Sequence, residues 1–378
     1  MRKKKVIVSV TTDLYSDQRV HKTCLSLVSM GYDVHVIGRK LRSYKFYNSS
    51  VMFEKPYSVK RFNLFFKKGF LFYMTFNIRL FFFLLFNKFD VIFSNDLDTL
   101  LPNFLISRIK KKPLVYDSHE LFTEIPELID RPLVKSFWIF IEKRIFPRLD
   151  HIITVSNHIA SFYYEKYNKQ INVIRNVPFN LNHYSHSPSQ KLLSFKTLFH
   201  KSLGKKIIYQ GSLNKDRGIE LMIESMGFIH ATLFIVGDGD IKIKLVKLVK
   251  KLSLERKVKF IDRVSFSELK EITVNMDLGL SFEEDVCLAY KYSLPNKIFD
   301  YIHSGVPVLV SDLPEMRNLV NHYKIGKVLK SRSLENVAFQ VNDMLSKKEF
   351  FANSLIRAKK DLCWENEEKK LYDLFESL

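Results

Sequence analysis

The feature that most constrains this chain is an alternation that runs along it twice: short runs of β-branched and apolar residues, each followed by a segment of helix length. In the first half the runs are Lys5–Val10, Val34–Ile37, Val91–Ser94, Leu114–Asp117 and His151–Val155. Between the first two, the spacing of apolar residues predicts a helix from Arg19 to Met30, closed by Gly31. Strand, helix and strand in that order make a βαβ unit. Strands that are apolar almost throughout belong to a parallel sheet covered by helices on both faces.

After a break the alternation restarts. It runs through Lys206–Tyr209, a helix over Ile219–Met226, Thr232–Val236, a Lys-rich helix over Ile241–Leu252, Lys257–Ile261, Leu278–Ser281, a helix over Lys297–His303 and Val306–Val310. The expected fold is therefore α/β, two Rossmann-like domains, and 378 residues suffice for two separate cores. From Phe179 to Gly204 the pattern dissolves into Asn, His, Ser, Pro and Lys, the composition of a connector, with room for a short helix at Leu192–Phe199. The expected division is 1–180 for the N-terminal domain, 181–204 for the linker, 205–355 for the C-terminal domain and 356–378 for a C-terminal helix returning to the N-terminal domain. Open α/β sheets bind ligands beyond the carboxyl ends of their strands, so two such domains facing each other would enclose a cleft.

Three segments of the second half suit phosphate chemistry. Tyr209-Gln210-Gly211-Ser212-Leu213 leaves a strand and Asp216-Arg217-Gly218 opens the next helix, so Gly211 permits close backbone approach and Arg217 can chelate phosphate oxygens. The same Arg-Gly pair also fits a solvated turn. Pro295-Asn296-Lys297 starts a helix that places Asp300 one turn on, giving either a phosphate-directed cation with a ribose-binding acid or an exposed ion pair. Ser304-Gly305-Val306-Pro307-Val308 closes that helix and launches a strand, and Gly237-Asp238-Gly239 is a further turn.

The order of these segments, with Ile235-Val236-Gly237-Asp238-Gly239, Val258-Lys259-Phe260-Ile261 and Met276-Asp277-Leu278-Gly279-Leu280 between them, resembles the retaining glycosyltransferases of family 4, whose architecture is the two-domain GT-B fold. The resemblance implies transfer of a sugar from a nucleotide-diphosphate donor to a sugar or lipid-linked acceptor, in cell-envelope polysaccharide or glycolipid synthesis. It implies that Arg217 and Lys297 bind the donor diphosphate and act catalytically on it and that Asp300 holds the ribose, with no metal or cofactor required; with the neighbouring turns and the acidic loop, the expected donor set is Gly211, Ser212, Arg217, Asn296, Lys297, Asp300 and Glu284. His119, in the polar turn after Leu114-Val115-Tyr116-Asp117-Ser118, is similar to the family's active-site histidine, and Asp17 and Arg19 fall on the acceptor side. The chain departs from the family at three places: Asp300 stands for a glutamate, Tyr292 for a second acid, and Ser212 for a frequent arginine. Glu283, Glu284 and Asp285 are available as a substitute carboxylate or as an acidic surface loop. A nucleotide-sugar epimerase of the same fold is the alternative within this architecture.

Charge bears on partners. The net charge is +20, and residues 1–112 hold 21 Lys and Arg against 7 Asp and Glu, which places +14 of it in the first half. Such a field attracts nucleic acid, anionic membrane or anionic small molecules. A basic nucleic-acid-binding protein is thus the alternative of another class, but no nucleic-acid module is recognisable and nucleic acid is not expected as a partner. Residues 61–90 contain 11 of the 33 phenylalanines together with Arg61, Lys67, Lys68, Arg79 and Lys88. That mixture fits either an anionic bilayer surface or a Phe-rich helix packed under the sheet. The apolar run behind Lys3-Lys4-Lys5 is too short for a membrane span, so the expected location is the cytoplasm, peripheral on the inner face of the cell membrane.

Overall fold

The computed structural model describes residues 2–12, 14, 17–40, 55–180, 199, 202 and 204–378. The helix expected at Leu192–Phe199 lies, apart from Phe199, outside these residues. The chain divides into two compact units, Met1–Asn176 with Glu367–Leu378, and Val177–Asn366.

The first unit is built on a parallel sheet whose strands run in the order β3-β2-β1-β4-β5-β6-β7. They are β1 Lys5–Ser9, β2 Asp33–Arg39, β3 Ser58–Phe62, β4 Val91–Asn95, β5 Leu114–Ser118, β6 His151–Thr154 and β7 Asn172–Val173. β4 and β5 are buried along their whole length, as strands covered on both faces must be. Helix α1, Gln18–Ser29, starts where the Asp17 carboxylate accepts from the Val20 N–H and stops before Gly31, whose φ of +88° lies in the left-handed region that glycine enters without strain. Helix α3, Leu97–Lys110, packs against β4, and helix α2, Gly69–Phe86, packs against α3.

The second unit repeats the plan with β8 Lys205–Gln210, β9 Ala231–Val236, β10 Val258–Ile261, β11 Leu278–Ser281, β12 Val308–Val310 and β13 Gly326–Val328, in the order β10-β9-β8-β11-β12-β13. Successive strand residues belong to different cores: Ile207, Tyr209, Leu233 and Ile235 to one, Ile208, Phe234 and Val236 to the other. The sheet is thus sandwiched, and the period of two in side-chain direction sorts the residues. In each sheet the order reverses once, between β1 and β4 and between β8 and β11, and ligand crevices form at such switch points.

Several elements depart from the sequence reading. The run Val306–Val310 begins its ladder only at Val308, because Pro307 has no N–H and the Val306 N–H turns back to the Tyr301 carbonyl. Strand β3 and the helices Phe266–Thr273, Pro314–Tyr323 and Leu334–Ser346 lay outside that reading altogether. The single helix expected over 356–378 is two, Ala352–Asp361 and Trp364–Glu376, and residues from Glu367 onward cluster with the first unit.

Candidate active site

In the second unit the carboxyl ends of β8 and β11 bring together the segments singled out for phosphate chemistry. Gly211 follows β8 directly, with φ at +132°, and a Cβ there would stand 3.6 Å from the Cε of Lys297. Gly218 is required by space as well as by its φ of +67°, since a Cβ would come within 2.2 Å of the Phe282 carbonyl oxygen. That close packing of the Arg217-Gly218 turn on the end of β11 carries Arg217 to Glu283.

Glu283 is the centre of this cluster and has no solvent exposure. Its Oε1 accepts from the Lys297 ammonium at 2.5 Å and lies 3.6 Å from Nη1 of Arg217, while its Oε2 accepts from the Ser281 hydroxyl at 2.7 Å. The Lys297 Nζ also sits 4.3 Å from the Tyr209 ring centroid, and the Arg217 guanidinium 4.4 Å from that of Tyr290. Burial works against the charge on Glu283, yet Lys297 and then Arg217 outweigh it and hold the carboxyl below its ordinary range. Burial, seconded by Arg217, lowers Lys297, with Glu283 opposing.

These contacts revise the sequence reading at three residues. Glu284, expected as the donor-side acid, pairs instead with Arg332 at 3.0 Å, because its neighbour Glu283 points inward with Ser281, two residues back on the same face of the strand end. The acidic loop is therefore not a surface loop at its first member. The pair of Lys297 with Asp300 does not form: Asp300 accepts from the Gln210 side chain at 2.8 Å, which ties the helix Asn296–His303 to the end of β8. Asn296 and Ser212 are exposed at the turns flanking Lys297 and Gly211, and the Ser212 carbonyl accepts from the Tyr209 hydroxyl. Tyr292 closes the short helix Leu288–Lys291.

The first unit carries a second cluster at its own switch point. The imidazole of His119, just past β5, is about one fifth exposed. Its Nδ1 lies 3.2 Å from a carboxylate oxygen of Asp96, and its Nε2 lies 3.2 Å from the Asn95 side-chain oxygen and 3.4 Å from Asp117. Burial disfavours the imidazolium, but Asp96 and then Asp117 outweigh it and hold His119 well above its ordinary value. Both ring nitrogens then donate. Asp96 has φ +57° and ψ 166°, a region that costs a residue with a side chain about 1–3 kcal/mol. It is held there by its N–H donating to the Asp117 carbonyl and its carboxylate accepting from the His119 N–H, both at 2.9 Å.

Arg19, expected on the acceptor side, turns its guanidinium inward. It is buried and makes a bidentate pair with Asp117 at 2.7 and 2.8 Å, and donates to the Ile174 carbonyl. Asp17 caps α1 and accepts from Thr12. Both residues support the cluster's framework: Arg19 holds Asp117, and Asp117 faces His119. Asp96 and Asp117 were not among the expected site residues, and Glu283 entered only as one of three candidates in the acidic loop for a substitute carboxylate. The signal for each was a polar residue ending or closely following an otherwise apolar strand.

Asp96→Asn is expected to bring the titration of His119 down by about one unit, followed through its ring resonances by NMR. An unchanged midpoint would contradict the electrostatic assignment. The raised value also fixes a sign: the charge on His119 stabilises the fold below the ordinary value of 6.5, and that contribution is lost as pH climbs through the folded value.

Two parallel sheets, each with a polar cluster at its switch point, define an α/β protein of the GT-B class. The first half matches the model of Glycosyltransferase Family 4 over residues 17–177 and the second that of Glycosyl transferases group 1 over residues 191–361. The chain belongs to the group 1 glycosyltransferase family. An uncharacterized glycosyltransferase of Methanocaldococcus jannaschii is 26% identical over 194 residues, and the match spans about half of each protein, 48% of either length. Among solved structures the fold is similar to that of Anabaena HepE in complex with UDP and glucose, with a TM-score of 0.76 at 16% identity, covering 99% of this chain and 100% of that one. It is likewise similar to sucrose-phosphate synthase from Thermosynechococcus elongatus, with a TM-score of 0.78 at 13% identity over 99% of both chains.

Proposed function

We propose that this protein transfers a sugar from a nucleotide-diphosphate sugar to a sugar or lipid-linked acceptor in cell-envelope polysaccharide or glycolipid synthesis, with retention of the anomeric configuration. The observation that carries the reading is the convergence of Lys297 and Arg217 on one buried carboxylate beside the Gly211 turn, in the half of the chain that matches the group 1 model. UDP and UDP-glucose, bound by the similarly folded HepE, support a nucleotide sugar as donor.

Departure of a nucleoside diphosphate builds negative charge on the leaving oxygens. Cations placed in advance stabilise that charge more in the transition state than in the bound donor. In this reading Arg217 and Lys297 supply the counter-charge in place of a metal. Asp300, fixed by Gln210, takes the ribose hydroxyls, and His119, as imidazolium, polarises and positions the sugar rather than attacking it. Thermal-shift titration with UDP, GDP and ADP and their sugars is the test. A rise in Tm with one nucleotide series is expected, since a ligand bound only by the folded state stabilises it. Absence of a shift with every nucleotide diphosphate would sink the donor assignment, and product analysis with and without acceptor separates transfer from epimerisation.

The acceptor side of the proposal rests on α2. By length and composition this helix could cross a membrane, but it is fastened to its own unit. Phe72, Phe76, Leu80 and Leu84, four apart, are buried, and the Asn77 side chain donates to the Asp98 carbonyl. The other side of α2 is open: Phe70, Phe82 and Phe86 are 59%, 51% and 79% exposed. The apolar surface continues through Phe137, in ring contact with Phe70, to Phe140 and Leu133 of helix α4, Pro132–Ile145. With Lys67, Lys68 and Lys88 at the ends of α2, this surface suits docking on an anionic bilayer rather than spanning it. The protein is expected to cosediment with vesicles containing phosphatidylglycerol and to lose about tenfold in partitioning on Phe82→Ser with Phe86→Ser, roughly 1.4 kcal/mol. Equal binding by that variant would refute the docking face.

A further inference from the structure

We infer that Glu283 is a positioning residue for the donor diphosphate, a buried carboxylate that fixes the ammonium of Lys297 and the guanidinium of Arg217 side by side at the Gly211 turn. The inference rests on the donor-site reading above and adds to it a residue that touches no substrate.

Two cations aimed at one diphosphate repel each other, and here one of them is also buried. Lys297 is 8% exposed, and both burial and Arg217 push its proton off. The ionisable groups facing it are few. Tyr209 comes from β8, and burial with Glu283 raises its phenol, so it stays neutral. Arg217 comes from the turn before Ile219 and Glu283 from the end of β11. Asp300, on the helix of Lys297 itself, is engaged by Gln210. Glu283 is thus the carboxylate in direct contact with the Lys297 ammonium, and it is itself anchored by Ser281.

The geometry divides the labour. The Lys297 contact is short and the Arg217 contact long, 2.5 Å against 3.6 Å on the same oxygen, so Lys297 is held by Glu283 while Arg217 lies near it over the Tyr290 face. An arriving diphosphate can draw Arg217 onto its oxygens without stripping Lys297 of its partner. Three charges, two positive and one negative, leave the cluster one unit positive, enough to attract an anion while limiting the repulsion within the apo site.

The test is Glu283→Gln, which keeps the side-chain shape and removes the charge. The midpoint of Lys297, read from its 13Cε resonance without any nucleotide, is expected to fall by about one unit or more. UDP affinity, with GDP and ADP measured in parallel by calorimetry, is expected to weaken more at pH 9 than at pH 6, by up to about tenfold per unit of downward shift wherever the pH lies above the lysine midpoint. Adding Lys297→Arg should abolish this extra pH dependence, since a guanidinium does not deprotonate in this range. Should Glu283→Gln fail to fold, Glu283→Asp keeps the charge on a shorter arm: the Lys297 midpoint should stay near wild type while UDP affinity falls. A folded Glu283→Gln with an unaltered Lys297 midpoint and unaltered pH profile would overturn the inference, as would an aspartate variant with full UDP affinity. If wild type binds none of the three nucleotides, the donor-site reading fails, and the ligand-free titration still decides whether Glu283 governs the charge of Lys297.

Discussion

Lys297→Ala is expected to reduce kcat/KM for sugar transfer by about a thousandfold, the loss of roughly 4 kcal/mol that follows removal of one preorganised group facing the developing charge. The same substitution leaves Glu283 buried without its closest partner. Breaking a buried ion pair costs about 3–5 kcal/mol, so the variant should also unfold at a distinctly lower denaturant concentration. Its pH dependence identifies the cause. In the wild type the folded value of Glu283 is depressed, so its contribution to stability is present above the unfolded value and lost as pH falls. Without Lys297, burial takes over and raises that value. The contribution is then largest in acid and disappears as pH rises. Denaturation at pH 5 and 7.5 reads this: the variant's deficit should be smaller at pH 5. Near-normal transfer by Lys297→Ala would remove the residue from the mechanism.

The second large effect concerns a residue in the other unit. Arg19→Ala leaves the buried carboxylate of Asp117 without its two charge-assisted hydrogen bonds and should destabilise the protein by about 3–5 kcal/mol, measured by urea unfolding. Arg19→Lys should recover only part of this, because a point charge cannot reproduce a bidentate fork. Burial raises Asp117, but Arg19 and then His119 outweigh it and bring the carboxyl to about 2. A depressed folded value stabilises the protein above the ordinary value of 3.8, and that stabilisation is lost as pH falls toward about 2. The Arg19 variant should lack this contribution, so its stability deficit should be largest above pH 3.8 and shrink as pH falls toward about 2. If Arg19→Ala proves as stable as wild type, the pair is not a structural anchor.

How far the sequence discloses this protein follows from which interactions are local. The strands buried on both faces announce themselves as apolar runs, and β11 sits at Leu278–Ser281 as the sequence reading has it. Gly211, Arg217 and Lys297 are legible because glycine and a cation at a strand-to-helix turn have a local reason to be there. Glu283 is not, because an acidic run reads as solvent-facing until Lys297, 14 residues on, and Arg217 come to it. Arg19 is misleading for the same reason, since its partner Asp117 is 98 residues away. Strand β3, Ser-Val-Lys-Arg-Phe, escapes notice because this edge strand alternates exposed and half-buried positions up to the buried Phe62 and carries two cations in five residues. The break between the last two helices depends on the Trp364 N–H donating to the Pro178 carbonyl, a partner that no local pattern reveals.

The return of Glu367–Leu378 to the first unit bears on how the chain is made. Phe93, in the middle of β4, stacks on Phe375, Ser26 donates to Glu368, and Arg175 pairs with Glu367. Synthesis is vectorial, and domains tend to fold as they emerge, N-terminal first. Here the N-terminal unit is finished last: its sheet remains uncovered beside Phe93 until residue 375 has left the ribosome, so the second unit is complete in sequence before the first. A chain that lacks Glu367–Leu378 therefore leaves the apolar surface beside Phe93 without the ring of Phe375 that covers it.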